Sequence, residues 1–213
     1  MQNELTAKEA AHAKAVREMF AGIAGRYDLL NHVLSLNIDK RWRRAVADEL
    51  RETLDRPGAT VLDVACGTGD LSLELNKNAQ AQIIGTDFCR PMLDFAKSKS
   101  LGETRSIPYV EGDAMGLPFD DGRFDAVTIA FGLRNLANVP DGLKELHRII
   151  KPADASAFLS FRHRSCRDLA ICLTFTFRTF CRGSAVRSAV LAELMSICPI
   201  RSPNFQIKKS SPR

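Results

Sequence analysis

Two glycines and a pair of carboxylates stand in this chain at a spacing that suits nucleotide recognition. The apolar run at 61–65 carries Asp63 inside it and ends just before Gly67 and Gly69. Such a run is typical of a buried parallel strand, and glycine lets a ligand approach the backbone closely because it has no Cβ. Asp87 follows a second short apolar run, where an acid can accept both hydroxyls of a ribose. The pattern predicts a nucleotide site at the carboxyl ends of adjacent parallel strands.

The composition of the loop favours S-adenosylmethionine over a dinucleotide. A dinucleotide fingerprint has a third glycine, as in Gly-x-Gly-x-x-Gly, whereas this chain has Leu71 and Ser72 in that region. Asp63 and Asp70 would repel a pyrophosphate, and they suit the positively charged sulfonium and ammonium groups of S-adenosylmethionine. The alternatives are NAD and a tight strand–helix turn without a ligand.

Strand-like and helix-like segments alternate along the first 150 residues. We expect strands at 61–65, 83–85, 109–110 and 124–131, and helices at about 69–77, 90–100 and 138–150. This alternation predicts an α/β fold in which a mostly parallel sheet is covered by helices on both faces.

Three residues are candidates for the adenine end of the site. Asp113 could accept a hydrogen bond from the adenine amino group, and Ala114 could donate its backbone N–H. The alternative for Asp113 is an ordinary helix N-cap. Met92 could cover the adenine ring, although such a methionine is also common in plain core.

These segments resemble the ubiquinone/menaquinone biosynthesis C-methyltransferases, the demethylmenaquinone methyltransferase family. The resemblance covers roughly residues 10–152, and its motifs lie at 20–28 with Asn31, 40–43, 61–70, 85–92, 112–114 and 130–135. The last motif, which contains Phe-Gly-Leu-Arg-Asn, is the most specific. Methyltransferases of nucleic-acid or protein nitrogens often have Asn-Pro-Pro-Tyr or Asp-Pro-Pro-Tyr there. The resemblance implies a Rossmann-like class I S-adenosylmethionine-dependent methyltransferase fold with a seven-stranded sheet.

The resemblance also implies C-methylation of demethylmenaquinol, or of its benzoquinol counterpart, in quinone biosynthesis. A ring carbon is a poor nucleophile until a phenolic oxygen loses its proton. Arg134 would stabilise the phenolate and Asn135 would hold a water or the oxygen, unless they are a solvated loop guanidinium and a helix-capping Asn. Tyr27 would contact the methionine part of the cofactor, or simply be an aromatic on a helix face. His32 is a conceivable base, or a polar surface residue.

With the resemblance, the expected site has a cofactor part and a catalytic part. The cofactor-binding residues are Tyr27, Asp63, Ala65, Gly67, Thr68, Gly69, Asp87, Phe88, Met92, Asp113 and Ala114, and the catalytic residues are Arg134 and Asn135. No metal is expected, because the cysteines show none of the spacings of a zinc site.

We expect three parts: an N-terminal helical lid or substrate region at 1–55, the S-adenosylmethionine-binding core at 56–152, and a tail at 153–213. The first part carries an apolar stripe that could cover a lipid quinone or pack on the sheet, namely Val16, Met19, Phe20, Ile23, Tyr27 and Leu30. The expected partners are a lipid quinol and, transiently, a membrane surface. Nucleic acid is not expected, and a homodimer is left open.

No membrane span and no signal peptide are expected. No segment approaches 18 continuous apolar residues, and residues 1–11 contain no apolar core. We therefore expect a cytoplasmic protein, and the lipid substrate that the resemblance implies would bring it to the inner membrane face.

The tail differs from the rest of the chain in charge. Residues 1–152 contain 20 Lys and Arg against 22 Asp and Glu, whereas residues 153–213 contain 10 against 3. The net charge of +5, which could suggest nucleic acid, therefore comes wholly from the tail. Four of the six cysteines also lie there.

We interpret this tail as translated in a shifted reading frame. Shifted back by one base, plausible codons for residues 153–161, 180–186 and 196–202 can encode segments that resemble the family, in the family's order. Such a tail is expected not to supply the family's last three strands, so the fourth strand would keep an unpaired edge and the chain would fold poorly. The alternatives to a quinol methyltransferase are another small-molecule methyltransferase of this fold and an inactive product of a frameshifted gene.

Overall fold

The structure is a computed structural model that describes residues 6–28, 38–151, 156–161 and 173–178. All of these residues belong to one compact unit, Met1–Thr179. Leu30, Asn31 and His32 lie outside the described residues, as does most of the tail.

A single sheet forms the centre of this unit. Its strands are β1 (Thr60–Val64), β2 (Gln82–Asp87), β3 (Tyr109–Glu111), β4 (Ala126–Ala130), β5 (Ser156–Phe161) and β6 (Leu173–Arg178), in the order β3-β2-β1-β4-β5-β6. Neighbours pair in parallel from β3 to β5, and β6 pairs antiparallel with β5. The crossover from β1 to β2 and the return to β4 beside β1 make β1 and β4 the switch point, where α/β folds bind ligands.

Among the residues that the structure describes, six α-helices precede or connect the strands. They are α1 (Ala7–Ile23), α2 (Ile38–Glu49), α3 (Arg51–Leu54), α4 (Asp70–Asn76), α5 (Arg90–Ser100) and α6 (Val139–Ile149). Local sequence explains where several begin. Thr6 and Glu9 form a capping box at α1, and Pro91 lies in the first turn of α5, where its missing N–H costs nothing. Asn138 caps α6 by accepting a hydrogen bond from the Asp141 amide.

Helices cover both faces of the sheet, as the alternating sequence predicts. On one face α2, α4 and α5 bury Val46, Leu75 and Leu93 against β1 and β2. On the other face Leu146 of α6 packs with Val127 of β4. The central strands β1, β2 and β4 are therefore almost wholly buried, which explains their continuous apolar sequence. The expected class I methyltransferase architecture is confirmed in these strands and helices.

The expectation that the fourth strand keeps an unpaired edge is wrong. Residues 126–130 of β4 pair with residues 156–160 of β5, and β6 adds a further antiparallel strand. The sequence of β6, Leu-Thr-Phe-Thr-Phe-Arg, alternates with period two and is rich in β-branched and aromatic residues, which suits a strand at this position beside β5. The tail thus contains two strand-forming segments despite its unusual charge.

Candidate functional site

A cavity of about 390 Å³ lies at the carboxyl ends of the central strands. Its walls come from α1, from the turns after β1, β2 and β3, and from the segment after β4. Ten of the expected site residues line it: Tyr27, Ala65, Gly67, Asp87, Phe88, Met92, Asp113, Ala114, Arg134 and Asn135. Asp63, Thr68 and Gly69 do not.

Asp87 fastens the glycine turn to the end of β2. Its Oδ2 accepts a hydrogen bond of 2.9 Å from the Gly67 amide, and its Oδ1 accepts one of 2.8 Å from the Cys89 amide. Burial raises the pKa of this carboxyl, and the two amides act in the opposite direction by stabilising the charged form. A carboxylate oxygen can accept more than one hydrogen bond. Asp87 therefore keeps acceptor capacity at the cavity wall.

The two glycines of the turn are required for different reasons. Gly67 has a φ of 57° and lines the cavity, and a Cβ built on it would come no closer than 3.8 Å to another atom, Cε1 of Tyr27. Gly69 has a φ of 79°, and a Cβ there would lie 2.6 Å from the Tyr109 hydroxyl. Gly67 thus leaves room for a ligand, whereas Gly69 leaves room for a core side chain.

Asp63 lies beneath the cavity and not in its wall. Its side chain is completely buried and accepts hydrogen bonds from the hydroxyls of Ser72, at 2.6 Å, and Thr128, at 2.9 Å. Burial raises its pKa to about 6, against the effect of those two hydroxyls. Asp63 therefore ties the start of α4 to β4. Asp63 does not line the cavity, and its role as a cofactor-binding residue stays a prediction.

Asp70, the other acid that was expected to suit the positively charged cofactor, is also paired within the protein. It forms an ion pair with Lys99 and another, of 3.3 Å, with Arg43. Thr68 likewise turns away from the cavity and donates its hydroxyl to Asp28. The carboxylates that do line the cavity are Asp87 and Asp113.

The segment after β3 forms a turn and not a helix start. The Oδ1 atom of Asp113 accepts a hydrogen bond of 2.9 Å from the Met115 amide, and the Gly116 amide bonds to the Asp113 carbonyl. Asp113 therefore caps a tight turn beside the cavity instead of a helix. Met92 is 1% exposed in a cluster with Ala24 and also lines the cavity, so it belongs to the core, and its role at the adenine stays a prediction.

The turn after β4 brings the expected catalytic pair to the cavity. Arg134 and Asn135 lie in a short 3₁₀ turn, Leu133–Asn135. Arg134 is exposed and has no ion-pair partner among the residues that the structure describes. Just before this turn Phe131 has a φ of 56°, and Ala65 at the end of β1 has a φ of 52°. Two non-glycine residues in this sparsely populated conformation, side by side at one cavity, are typical of a functional site.

Helix α1 forms the outer wall. Tyr27 packs edge-on to Phe20 with 5.9 Å between ring centroids, and the Arg17 guanidinium lies 5.3 Å from the centroid of the Phe88 ring. The apolar stripe is divided, since Phe20, Ile23 and Met19 line the cavity while Val16 is buried. Sequence reasoning found the stripe by its helical spacing, but it missed Arg17, which no local pattern marks.

Comparison with known proteins places the chain in a family. The sequence matches the ubiE/COQ5 methyltransferase family over residues 6–182. This chain belongs to the ubiE/COQ5 methyltransferase family. The resemblance predicted from the motifs is thereby confirmed, and the match continues past residue 152 into the tail.

Individual relatives agree with the family. The demethylmenaquinone methyltransferase of Deinococcus radiodurans is 50% identical over 149 residues, which are 70% of this chain and 61% of that one. A ubiquinone/menaquinone biosynthesis C-methyltransferase of Geotalea uraniireducens is 41% identical over 154 residues, 68% of this chain and 63% of that one. The chain thus spans a little over three fifths of the length of these curated relatives.

The fold is shared with solved methyltransferases. A SAM-dependent methyltransferase from Aquifex aeolicus matches with a TM-score of 0.50 and 26% identity, over 57% of this chain and 66% of that one. In the part of this chain that the structure describes, none of the helices has both the length and the apolar character that a membrane span needs.

Proposed function

We propose that this chain is built to methylate a ring carbon of demethylmenaquinol with S-adenosylmethionine as the methyl donor. The observation that carries the proposal is that one cavity unites the glycine turn, Asp87 and the Arg134–Asn135 pair. The names of the relatives support the substrate class, since they include a demethylmenaquinone methyltransferase and a ubiquinone/menaquinone C-methyltransferase.

The residues of the cavity fit the expected donor. Gly67 offers an open backbone, Asp87 offers acceptor atoms for ribose hydroxyls, and Asp113 and Ala114 stand where the adenine is expected. Tyr27 would close the methionine end. When bound, S-adenosylmethionine supplies an electrophilic methyl group. The carboxylates of Asp87 and Asp113 would also give the cavity a negative charge that suits a cationic donor.

On the opposite side, Arg134 would stabilise the negative charge that develops on a phenolic oxygen when its proton is lost. Its exposure in the 3₁₀ turn leaves the guanidinium available for this task. Asn135 would orient the oxygen, or a water that receives the proton. Both residues act on the acceptor, and their role is to make the ring carbon a better nucleophile.

The remaining wall is mainly apolar, which suits a lipid-linked ring. Ile23 and Phe20 from α1 line the cavity together with Leu136 and Ala137. We propose that this side receives the apolar part of the quinol, and that the protein meets its substrate by peripheral contact with the membrane surface from the cytoplasm. The division into a lid region, a core and a tail belongs to the same proposal.

Calorimetry and a methyl-transfer assay test the proposal together. We expect S-adenosylhomocysteine to bind and NADH not to bind, and we expect labelled methyl to reach demethylmenaquinol faster than its benzoquinol counterpart. The variant Arg134→Met should bind S-adenosylhomocysteine normally and transfer methyl slowly, whereas Lys144→Met on the exposed side of α6 should match the unaltered chain. If calorimetry detected binding of NADH and not of S-adenosylhomocysteine, the proposed methyl donor would be wrong. If methyl were transferred only to an unrelated phenol or amine, the proposed acceptor would be wrong.

The charge break at residue 153 favours a second proposal, that the tail is read in a shifted frame and that this exact chain is an inactive product. The family match extends to residue 182, which is also expected if the first part of the tail is in its native frame. Determining the DNA sequence around the Pro152 codon therefore distinguishes the two cases. Close relatives whose genes encode Ala153 and Asp154 in an intact frame would exclude the shift.

A further inference from the structure

Three family-like motifs contain charged residues that do not line the cavity, and the structure joins them at one place. We call Asp28, Arg43, Thr68, Asp70 and Lys99 the Lys99 cluster. Its members come from four separate segments: the end of the N-terminal segment, α2, the glycine turn with the start of α4, and α5. Lys99 is the one member that no motif indicated.

Lys99 is at the centre of the contacts. Its Nζ donates to Oδ2 of Asp28 at 2.8 Å, to the Thr68 hydroxyl at 3.3 Å, and to Oδ1 of Asp70. Thr68 donates in turn to the other oxygen of Asp28. Arg43 approaches the second oxygen of Asp70 at 3.3 Å. One ammonium group therefore connects the N-terminal segment to both ends of the glycine turn.

The burial of the cluster makes these contacts stronger than those of an ordinary surface pair. The side chains of Lys99, Asp28 and Asp70 are 27%, 34% and 23% exposed. A connected network at this burial is less screened by solvent than an isolated exposed pair. Without the ammonium group between them, the negatively charged carboxylates of Asp28 and Asp70 would repel each other.

The cluster lies next to the cavity through one residue. Tyr27 immediately precedes Asp28, lines the cavity, and has its ring edge beside Gly67. Whatever fixes Asp28 on the glycine turn therefore also fixes the position of Tyr27.

We propose that Lys99 is a positioning residue, which holds the segment ending at Asp28 on the glycine turn and so sets Tyr27 as the wall at the methionine end of the cofactor. This inference rests on the proposed function, because Tyr27 meets a cofactor only if the cavity binds one. Lys99 itself is not among the residues that line the cavity.

Hydrogen exchange tests the positioning without any ligand. In Lys99→Met we expect amide exchange across residues 20–28 to rise severalfold, and in Lys99→Arg to stay close to the unaltered chain. Lys97→Met is the matched control, since Lys97 is exposed on the same helix and should change nothing. Equal exchange in Lys99→Met and Lys97→Met would overturn the inference.

Binding of S-adenosylhomocysteine tests the route through Tyr27. We expect Lys99→Met to weaken binding about tenfold, and to have no further effect when Tyr27→Ala is already present. Additive losses in the double variant would overturn the inference, because Lys99 would then act by another route. If the unaltered chain does not bind S-adenosylhomocysteine, the proposed function is wrong, and so is the part of the inference that concerns the cofactor. Hydrogen exchange would still show whether Lys99 holds the segment that ends at Asp28.

Discussion

The carboxylates around the glycine turn show how position alone gives one residue type different tasks. Asp63 is completely buried and satisfied by two hydroxyls, Asp70 is paired with two cations, and Asp87 bonds backbone amides at the cavity wall. Only Asp87 both accepts hydrogen bonds that hold the backbone and remains accessible to a ligand in the cavity. A cationic ligand in the cavity would therefore meet fewer acids than the loop sequence contains.

Asp63→Asn should alter how stability depends on pH. The pKa of Asp63 is about 6 in the folded chain against 3.8 ordinarily, so folding favours the protonated form. The associated stability is fully present below about pH 4 and is lost as pH rises through 6, a change of roughly 3 kcal/mol. Because asparagine does not titrate, the free energy of unfolding of the Asp63→Asn variant should lack this decrease. Urea unfolding from pH 4 to 7 measures the difference.

Asp48→Asn is the control for this experiment, because Asp48 is exposed on α2. Its unfolding free energy should follow that of the unaltered chain at every pH. If Asp63→Asn also gave a curve parallel to that of the unaltered chain, Asp63 would not be protonated more readily in the folded state.

Asp87→Asn should weaken binding of S-adenosylhomocysteine by roughly 30-fold, since about 2 kcal/mol is typical for hydrogen bonds to a charged group. The new amide group would also point an N–H at the amide of Gly67 or Cys89, which now donate to Asp87. Calorimetry measures the affinity, and Asp94→Asn on the exposed side of α5 should keep it. Undiminished affinity in Asp87→Asn would place the ribose elsewhere.

The sequence predicted which residues gather at this site, but not which way each one faces. Asp63 lies in a strand, and the face that a strand residue takes depends on its neighbours across the sheet. Its partner Thr128 belongs to β4, more than sixty residues away. That pairing exists only once the parallel register of β1 and β4 is formed, so no local pattern could reveal it.

At the scale of elements, the closest approach in the site is between the ends of β1 and β4. A Cβ on Gly132 would lie 2.4 Å from the Cβ of Ala65 and 3.2 Å from Cγ1 of Ile129. Both Ala65 and Gly132 line the cavity. The two strand ends thus meet without space for one methyl group, and this contact fixes the distance between the glycine turn and the turn that carries Arg134 and Asn135.

Gly132→Ala should therefore destabilise the chain by about 1–3 kcal/mol, the usual cost of overpacking, and should also weaken binding of S-adenosylhomocysteine. Ala65 cannot easily yield, because its φ of 52° already belongs to a narrow region. Gly22→Ala is the matched control, since a Cβ at Gly22 in α1 meets nothing within 4 Å. It should keep affinity and gain up to about 1 kcal/mol of stability. Equal urea midpoints for the two variants would contradict this account.

Element boundaries were more predictable than their contacts. The expected helices at 69–77, 90–100 and 138–150 agree with α4, α5 and α6 to within about one residue at each end. Caps and prolines are local signals, so they appear in the sequence. The packing of Arg17 on Phe88 and of Lys99 on Asp28 joins residues 71 positions apart and depends on the assembled fold.

At the scale of the whole molecule, the tail adds the strands β5 and β6 to the sheet beside β4. The continuous apolar sequences of β1, β2 and β4 predicted a parallel core, but they gave no information on its outer neighbours. The Thr-Phe alternation of β6 was hidden by the basic composition around it. Charge identified the tail as unusual and did not determine its secondary structure.

Removing residues 152–213 should make the chain aggregate. β4 would lose its five paired positions with β5, and an exposed edge next to the most buried strands of the sheet invites pairing between molecules. Size-exclusion chromatography and urea unfolding of the truncated and full chains measure this. A truncated chain that stays monomeric with an unchanged urea midpoint would show that the tail does not support the sheet.

Restoring the proposed reading frame from residue 153 should raise stability above that of the present chain. A frame-restored tail would keep a strand beside β4 and replace a segment of 10 basic and 3 acidic residues with sequence selected together with the core, which favours consistent packing. We expect a higher urea midpoint, a single cooperative transition and methyl transfer to demethylmenaquinol from the restored chain. The present chain, assayed beside it, should transfer less methyl at equal S-adenosylhomocysteine occupancy. If the present chain were the more stable and the more active of the two, its tail would be the native one and the frameshift proposal would be wrong.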